Sequence, residues 1–249
     1  MLVICNGMLR SGSTLQYNLA SEALEAVGHA TRVGYLGGFR SPETKARLEE
    51  MREAESLYIL KTHEPPLEPA FYTNRVTLLF THRDLRDIAA SIRKKWNKSF
   101  DEILSDLDAM IDIHVQIAAL PRILIQPYDR LYHAMPQALE EIAAHLGTSL
   151  TPEIRARILQ HNALETVSEH LAARRRNPLL TLLGRLSGRF RIDRKTELHS
   201  DHISETGGRD GDWQRLFGTD EKRALEDRMQ HWQHRIGELG SETGMGATR

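Results

Sequence analysis

The chain of 249 residues is 40% hydrophobic and 27% charged, with a formal net charge of -1 at pH 7. That balance describes a soluble globular protein and excludes a global positive field that would gather nucleic acid or an anionic membrane, so any anion site has to be local. No apolar run approaches the roughly 20 residues of a membrane-spanning helix, and one cysteine excludes an intrachain disulfide.

In chain order, "LVICN" reads as a short buried strand carrying Cys5, a buried and inert thiol. A strand starting at Leu2 leaves no room for a signal peptide, so a reducing, cytoplasmic setting is expected. From Ser13 the residues Leu15, Leu19, Ala23 and Ala26 recur at helical spacing, with Ser13 or a neighbour as cap and Gly28 near the end. A charged helix is expected over 41–55, then a strand "LYILK" (57–61) closed by "EPP", then the most strand-like run, "RVTLLFTHR" (75–83). "DLRDIAASIRKKW" (84–96) is a helix with Asp84 as cap. The next helix, 101–119, sets Ile103, Leu107, Met110, His114 and Ile117 on one stripe. "RILIQPYD" (122–129) is the fourth strand, followed by two short helices near 135–146 and 152–160. The stretch 174–195 is basic and irregular, "ETGGRDGDW" (205–213) is a glycine-rich loop, and a helix packed around Trp232 covers about 220–239 before a frayed tail, 240–249. Strands alternating with helices give an α/β fold: a parallel sheet flanked by helices, with 1–249 forming one domain and ligand sites in the loops at strand ends.

The segment "GMLRSGSTLQ" (7–16) carries the first chemical signal. Gly7 and Gly12 have the spacing of a nucleoside-triphosphate loop, yet the lysine slot holds Ser13 and the base stands earlier, at Arg10. A strand, a glycine loop and a helix start make an anion site whether or not the lysine is there. N–H groups at the helix start lack intrahelical partners, and the dipole adds positive potential. Triphosphate chemistry also wants a lysine on the β/γ-phosphates and an acid for magnesium. A ligand with one phosphate and no metal therefore fits better.

Three further segments complete a pattern: "KTHEPP" (61–66), "THRDLRDIAASI" (81–92) and "GGRDGDW" (207–213). Together with "GMLRSGST", in that order, they resemble the sulfotransferases that use 3′-phosphoadenosine 5′-phosphosulfate (PAPS) and release the bisphosphate PAP. The resemblance implies a P-loop-like sulfotransferase fold. It implies a sulfuryl group moved from PAPS to a hydroxyl or amine of a small-molecule or glycan acceptor. Carried over position by position, Arg10, Ser11, Gly12, Ser13 and Thr14 form the 5′-phosphosulfate loop. Arg83 and Ser91 hold the 3′-phosphate, Tyr128 lies near the adenine, and "HNALE" (161–165) points to Asn162 and Leu164 on the adenine side. Gly208 belongs to the last 3′-phosphate loop, His63 is the catalytic base, and Lys61 stands beside it.

The chemistry agrees. The acceptor must lose a proton, and histidine, with an unperturbed pKa of about 6.5, suits that task. Charge builds on the leaving phosphate, where Arg10, Lys61 and the helix start supply fixed positive groups. An arginine fork suits the 3′-phosphate. The sequence departs from the pattern in several places. Thr206 and Gly207 stand where two cations are usual, and Arg209, with Ser204, is expected to replace one of them. Leu15 replaces an aromatic residue. Arg10 in place of a lysine resembles the carbohydrate and protein-tyrosine branches, while "KTH" resembles the cytosolic type. Acceptor loops are expected at 37–42, after Pro66, at 94–100 and in 174–195, the last as a lid. The histidines of "HSDHIS" (199–204) are not read as a metal site, for want of partners. Alternatives are a metal-dependent small-molecule kinase and a non-catalytic nucleotide-binding protein of the same fold.

Overall fold

The computed structural model describes residues 1–28, 30–164, 166–169, 192–193, 198–199 and 210–243. Five strands form one sheet: β1 (Leu2–Gly7), β2 (Ala30–Tyr35), β3 (Leu57–Lys61), β4 (Val76–His82) and β5 (Ile123–Pro127). Their order is β2-β3-β1-β4-β5 and every pairing is parallel. A separate antiparallel pair joins β6 (Ile192–Asp193) to β7 (Leu198–His199).

The helices are α1 (Ser13–Val27), α2 (Pro42–Glu53), α3 (Leu85–Trp96), α4 (Phe100–Ala118), α5 (Tyr128–His133), α6 (Met135–His145), α7 (Pro152–Asn162), α8 (Trp213–Leu216) and α9 (Thr219–Thr243). They cover both faces of the sheet, which is why β1 is buried along its whole length. Alternate strand residues feed opposite layers. Val3, Cys5, Ile59 and Leu79 pack with Leu19, Leu139, Ile142 and Ile158 from α1, α6 and α7. Leu2, Ile4, Leu60 and Phe80 pack with Leu48, Ile88, Leu107 and Trp232 from α2, α3, α4 and α9. Each such large apolar side chain contributes about 1.5–3 kcal/mol by leaving water. Cys5 is fully buried and burial pushes its thiol pKa up, as an inert core cysteine requires. Among the described residues no helix is long and apolar enough to cross a membrane.

Three segments differ from the sequence expectation. The last helix runs to Thr243, into the stretch expected to be a frayed tail from 240. The edge strand β2, "ATRVGY", was not foreseen: Arg32 and Gly34 break its apolar pattern, and the register shifts between them where Gly34 has φ +80°. The fourth expected strand ends at Pro127, and Tyr128 opens a short helix whose buried residues Tyr128 and Leu131 are three apart. Asp84 caps α3 as expected, accepting from Arg86 N. The N-cap of α1, however, is Gly12 at φ +86°, and no side chain caps that helix.

Register sets the site. β1 pairs β3 through Cys5 with Lys61 and β4 through Gly7 with Thr81, so three strand ends open on one edge of the sheet. The connections leaving β1 and β4 run to opposite sides, the arrangement that opens a crevice at strand C-termini.

Behind β4 lies a histidine cluster. His82 stacks on His114 at 5.2 Å, and Trp232 Nε1 donates to His114 Nδ1 at 3.0 Å. Burial lowers the pKa of His82 to about 4, and burial with the neighbouring His82 lowers that of His114 to about 3. Both rings are therefore neutral in the fold, whereas unfolded histidine takes up a proton near pH 6.5. Their contribution is fully present above about pH 6.5 and is lost as pH falls toward the folded values. Urea midpoints should therefore drop steadily between about pH 6.5 and 4, and a flat profile would contradict neutral burial of these rings.

Candidate functional site

The chain leaves the sheet at Gly7, where a side chain is sterically excluded. A Cβ there would lie 2.2 Å from Thr81 Oγ1. The loop that follows is tied to β4: Met8 N donates to Thr81 O at 2.9 Å, and Ser11 Oγ lies 2.6 Å from Thr81 Oγ1 and 2.6 Å from Met8 O. Ser11 is fully buried, so its hydroxyl braces the loop from behind and only its backbone faces the turn. Arg10 sits in the left-handed region at φ 63°, a cost of roughly 1–2 kcal/mol for a non-glycine residue. Its Nε donates to Ser91 Oγ at 2.8 Å. The two residues expected at opposite ends of the nucleotide thus touch directly. Burial, and then the charge of Arg83, lower the pKa of Arg10. After Gly12 the first helical bond is Gln16 N to Gly12 O at 3.1 Å, which leaves the N–H groups of Ser13, Thr14 and Leu15 as an uncapped helix end.

Lys61 ends β3 with 6% exposure, and its Nζ lies 2.9 Å from His63 Nε2. His63 Nδ1 lies 2.7 Å from Gly7 O. An ammonium only donates and a carbonyl only accepts, so Nε2 is the acceptor nitrogen and Nδ1 carries the proton. Burial first, and the Lys61 charge second, lower the His63 pKa to about 3, while the Gly7 bond raises it. Tyr35, missed along with β2, closes this corner: Lys61 Nζ is 5.5 Å and the His63 ring 6.1 Å from the Tyr35 ring centre.

Arg83 is 8% exposed. Its guanidinium lies over the Tyr128 ring at 4.0 Å, and Nη2 donates to Asp210 Oδ1 at 2.7 Å. Tyr128 also fills the space beside Gly12, where a Cβ would come within 3.3 Å of its ring. One aromatic ring therefore separates the 7–12 loop from Arg83. Asn162 is buried and its Nδ2 donates to Glu22 Oε1 and Ile158 O, both at 3.0 Å, which ties α7 to α1. Leu164 follows, half-buried. Gly208, Arg209 and 174–191 lie outside the described residues. The last loop becomes visible at Asp210, and Gly211 N donates to Asp87 Oδ1 at 2.8 Å. Asp212 pairs with Lys94 and Arg215, so Lys94 is not a purely solvated lysine. Among the described residues one group could gather a cation: Asp129, His133 and Asp210, all exposed.

Next to His63 lies a cavity of about 170 Å³. Met8, Leu9, Phe80, Met110 and Ile113 make it largely apolar, and Asp106 adds one charge. Its far wall is one face of α4, through Asp106, Ala109, Met110 and Ile113, of which only Met110 belongs to the stripe expected from the sequence.

No family model and no curated protein matches the sequence. Solved structures do match. A mouse sulfotransferase, SULT7A1, complexed with PAP, superimposes with a TM-score of 0.63 at 14% identity, over 96% of this chain and 88% of that one. The chain has a sulfotransferase fold. Retinol dehydratase with retinol and PAP gives a TM-score of 0.60 at 16% identity, and with androsterone and PAP 0.57 at 15%, each over 93% of this chain and 80% of that one. The likeness is one of backbone; the side-chain geometry of this sulfotransferase-like fold stands on its own.

Because the Lys61 charge holds the His63 pKa down, Lys61→Met should raise it toward the ordinary value. An NMR titration of the His63 ring proton checks this, and an unchanged pKa would show that burial alone sets it.

Proposed function

We propose that the protein is a sulfotransferase that uses PAPS as donor and His63 as base, with a hydroxyl or amine of a small-molecule or glycan acceptor as nucleophile. In this reading 1–249 is one sulfotransferase domain. The observation that carries it is the bond between His63 Nδ1 and the carbonyl of Gly7, the residue that opens the anion loop. Base and anion cradle are one hydrogen-bonded unit, and the apolar cavity lies against both.

The residues fit the donor. The uncapped start of α1, with Ser13 and Thr14, offers N–H and hydroxyl donors to a single 5′-phosphate, and Gly12 supplies the left-handed turn that opens the helix. Arg10 adds charge from the other side of the loop. Arg83 offers a fork to a 3′-phosphate, Gly208 and Arg209 extend that clamp, and Ser91 joins the two ends through Arg10. Tyr128 and Asn162 flank the adenine side. PAPS supplies the sulfuryl group, which departs from its phosphate oxygen as the acceptor oxygen or nitrogen bonds to sulfur.

His63 takes the acceptor's proton on Nε2. That nitrogen is occupied by Lys61 in the free protein. Lys61 has to turn toward the leaving phosphate oxygen, and the same move removes a charge that weakens the base. A pKa of about 3 therefore describes the resting imidazole, neutral at every working pH, and the working basicity is higher.

A kinase would need magnesium and a lysine in the loop, and a pure binding protein has no use for the Lys61–His63 pair. PAP should raise the melting temperature without magnesium while ATP does not. His63→Ala should reduce labelled-sulfate transfer by roughly 100-fold or more while PAP affinity persists. Near-normal transfer would remove His63 as the base, and stabilisation by Mg-ATP alone would favour the kinase.

A further inference from the structure

Arg83 presents its outer nitrogen to a carboxylate of the chain itself. Asp210 Oδ1 accepts from Arg83 Nη2 at 2.7 Å. Arg83 is 8% exposed, whereas the Asp210 side chain is 47% exposed. The cation is held by burial and by the Tyr128 ring at 4.0 Å, and the carboxylate is the more exposed member of the pair. Gly211, at φ +85°, anchors the loop separately through its N–H to Asp87, so the Asp210 side chain can swing while its neighbour stays pinned. Burial raises the Asp87 pKa to about 6, the Gly211 N–H and the Arg83 charge oppose that rise, and Asp84 and Asp210 add to it.

We propose that Asp210 is a specificity-determining residue at the 3′ end of the nucleotide site: its carboxylate holds the anion seat of Arg83, and a 3′-phosphate must displace it. The proposal rests on the donor reading above. Two anions cannot share one edge of a guanidinium without repulsion. A 3′-phosphate therefore binds by exchange, with the Asp210 pair lost as the phosphate pair forms. A nucleotide with a free 3′-hydroxyl needs no such exchange. The chain thus discriminates less between 3′-phosphorylated and 3′-hydroxyl nucleotides than Arg83 alone would allow. Asp210 also returns to Arg83 as the bisphosphate leaves, which assists product release.

The test is calorimetric affinity for PAP and for AMP in the wild-type protein and in Asp210→Asn, with Asp129→Asn as a control. Asp129 is exposed and close to Asp210, so its loss alters the local field without vacating Arg83. Asp210→Asn should tighten PAP about tenfold and leave AMP unchanged, so the PAP to AMP preference rises about tenfold; Asp129→Asn should change that preference less than about twofold. Weaker PAP binding in Asp210→Asn would mean that Asp210 positions Arg83, and would overturn the proposal. Equal effects of the two substitutions would reduce it to a general field and overturn it as well. If PAP binds both proteins with the same preference over AMP, this proposal fails alone. If PAP binds neither wild type nor variant, the donor reading fails with it.

Discussion

The end of β1 lies so close to the end of β4 that the Thr81 hydroxyl occupies the space of a side chain at position 7. Everything around the site follows from that approach. It forces glycine at the strand exit, frees the Gly7 carbonyl to receive His63 Nδ1, and sets Ser11 against Thr81 so that the loop turns back into α1. The turn needs left-handed backbone at Arg10 and Gly12. Strain at Arg10 is offset by the buried brace beneath and by the bond to Ser91. Such strained, over-determined turns are where binding loops hold their shape before the ligand arrives.

The second constraint is electrostatic. Lys61, Arg10 and Arg83 are all largely withdrawn from water at one edge of the sheet. Burying charge is costly unless it is partnered. The contacts of these cations include an imidazole nitrogen for Lys61, a serine hydroxyl for Arg10, and an aromatic face and a half-exposed carboxylate for Arg83. These partners let the fold form around concentrated positive charge. They also explain why the chain as a whole needs no positive balance.

The backbone likeness to PAP-bound sulfotransferases at 14–16% identity illustrates how little sequence such a frame requires. Two faces of buried aliphatic residues, a glycine at one strand exit and matched strand registers suffice to build it. The chemistry then depends on a few residues at strand ends, which the frame positions but does not specify.

Strong local signals were legible from the residues alone. The β1 and β4 runs are mostly apolar because both sheet faces are covered, α1 and α4 carry helical stripes, and Asp84 announces its helix. The loop glycines, Lys61, His63 and Arg83 stand at strand ends that those patterns locate. Other features were decided only in three dimensions. β2 carries an arginine and a glycine and is held by pairing with β3, so no local pattern marks it or places Tyr35 beside Lys61. Tyr128 looked like the end of a strand, yet Pro127 ends the sheet pairing and turns the ring under Arg83. The contacts Arg10–Ser91 and Arg83–Asp210 join residues 81 and 127 positions apart. Sequence determined which residue types stand at the strand ends, because periodicity and turn chemistry are local. Their partners in the free protein, and so their charge and readiness, depend on long-range packing that brings distant strand ends together.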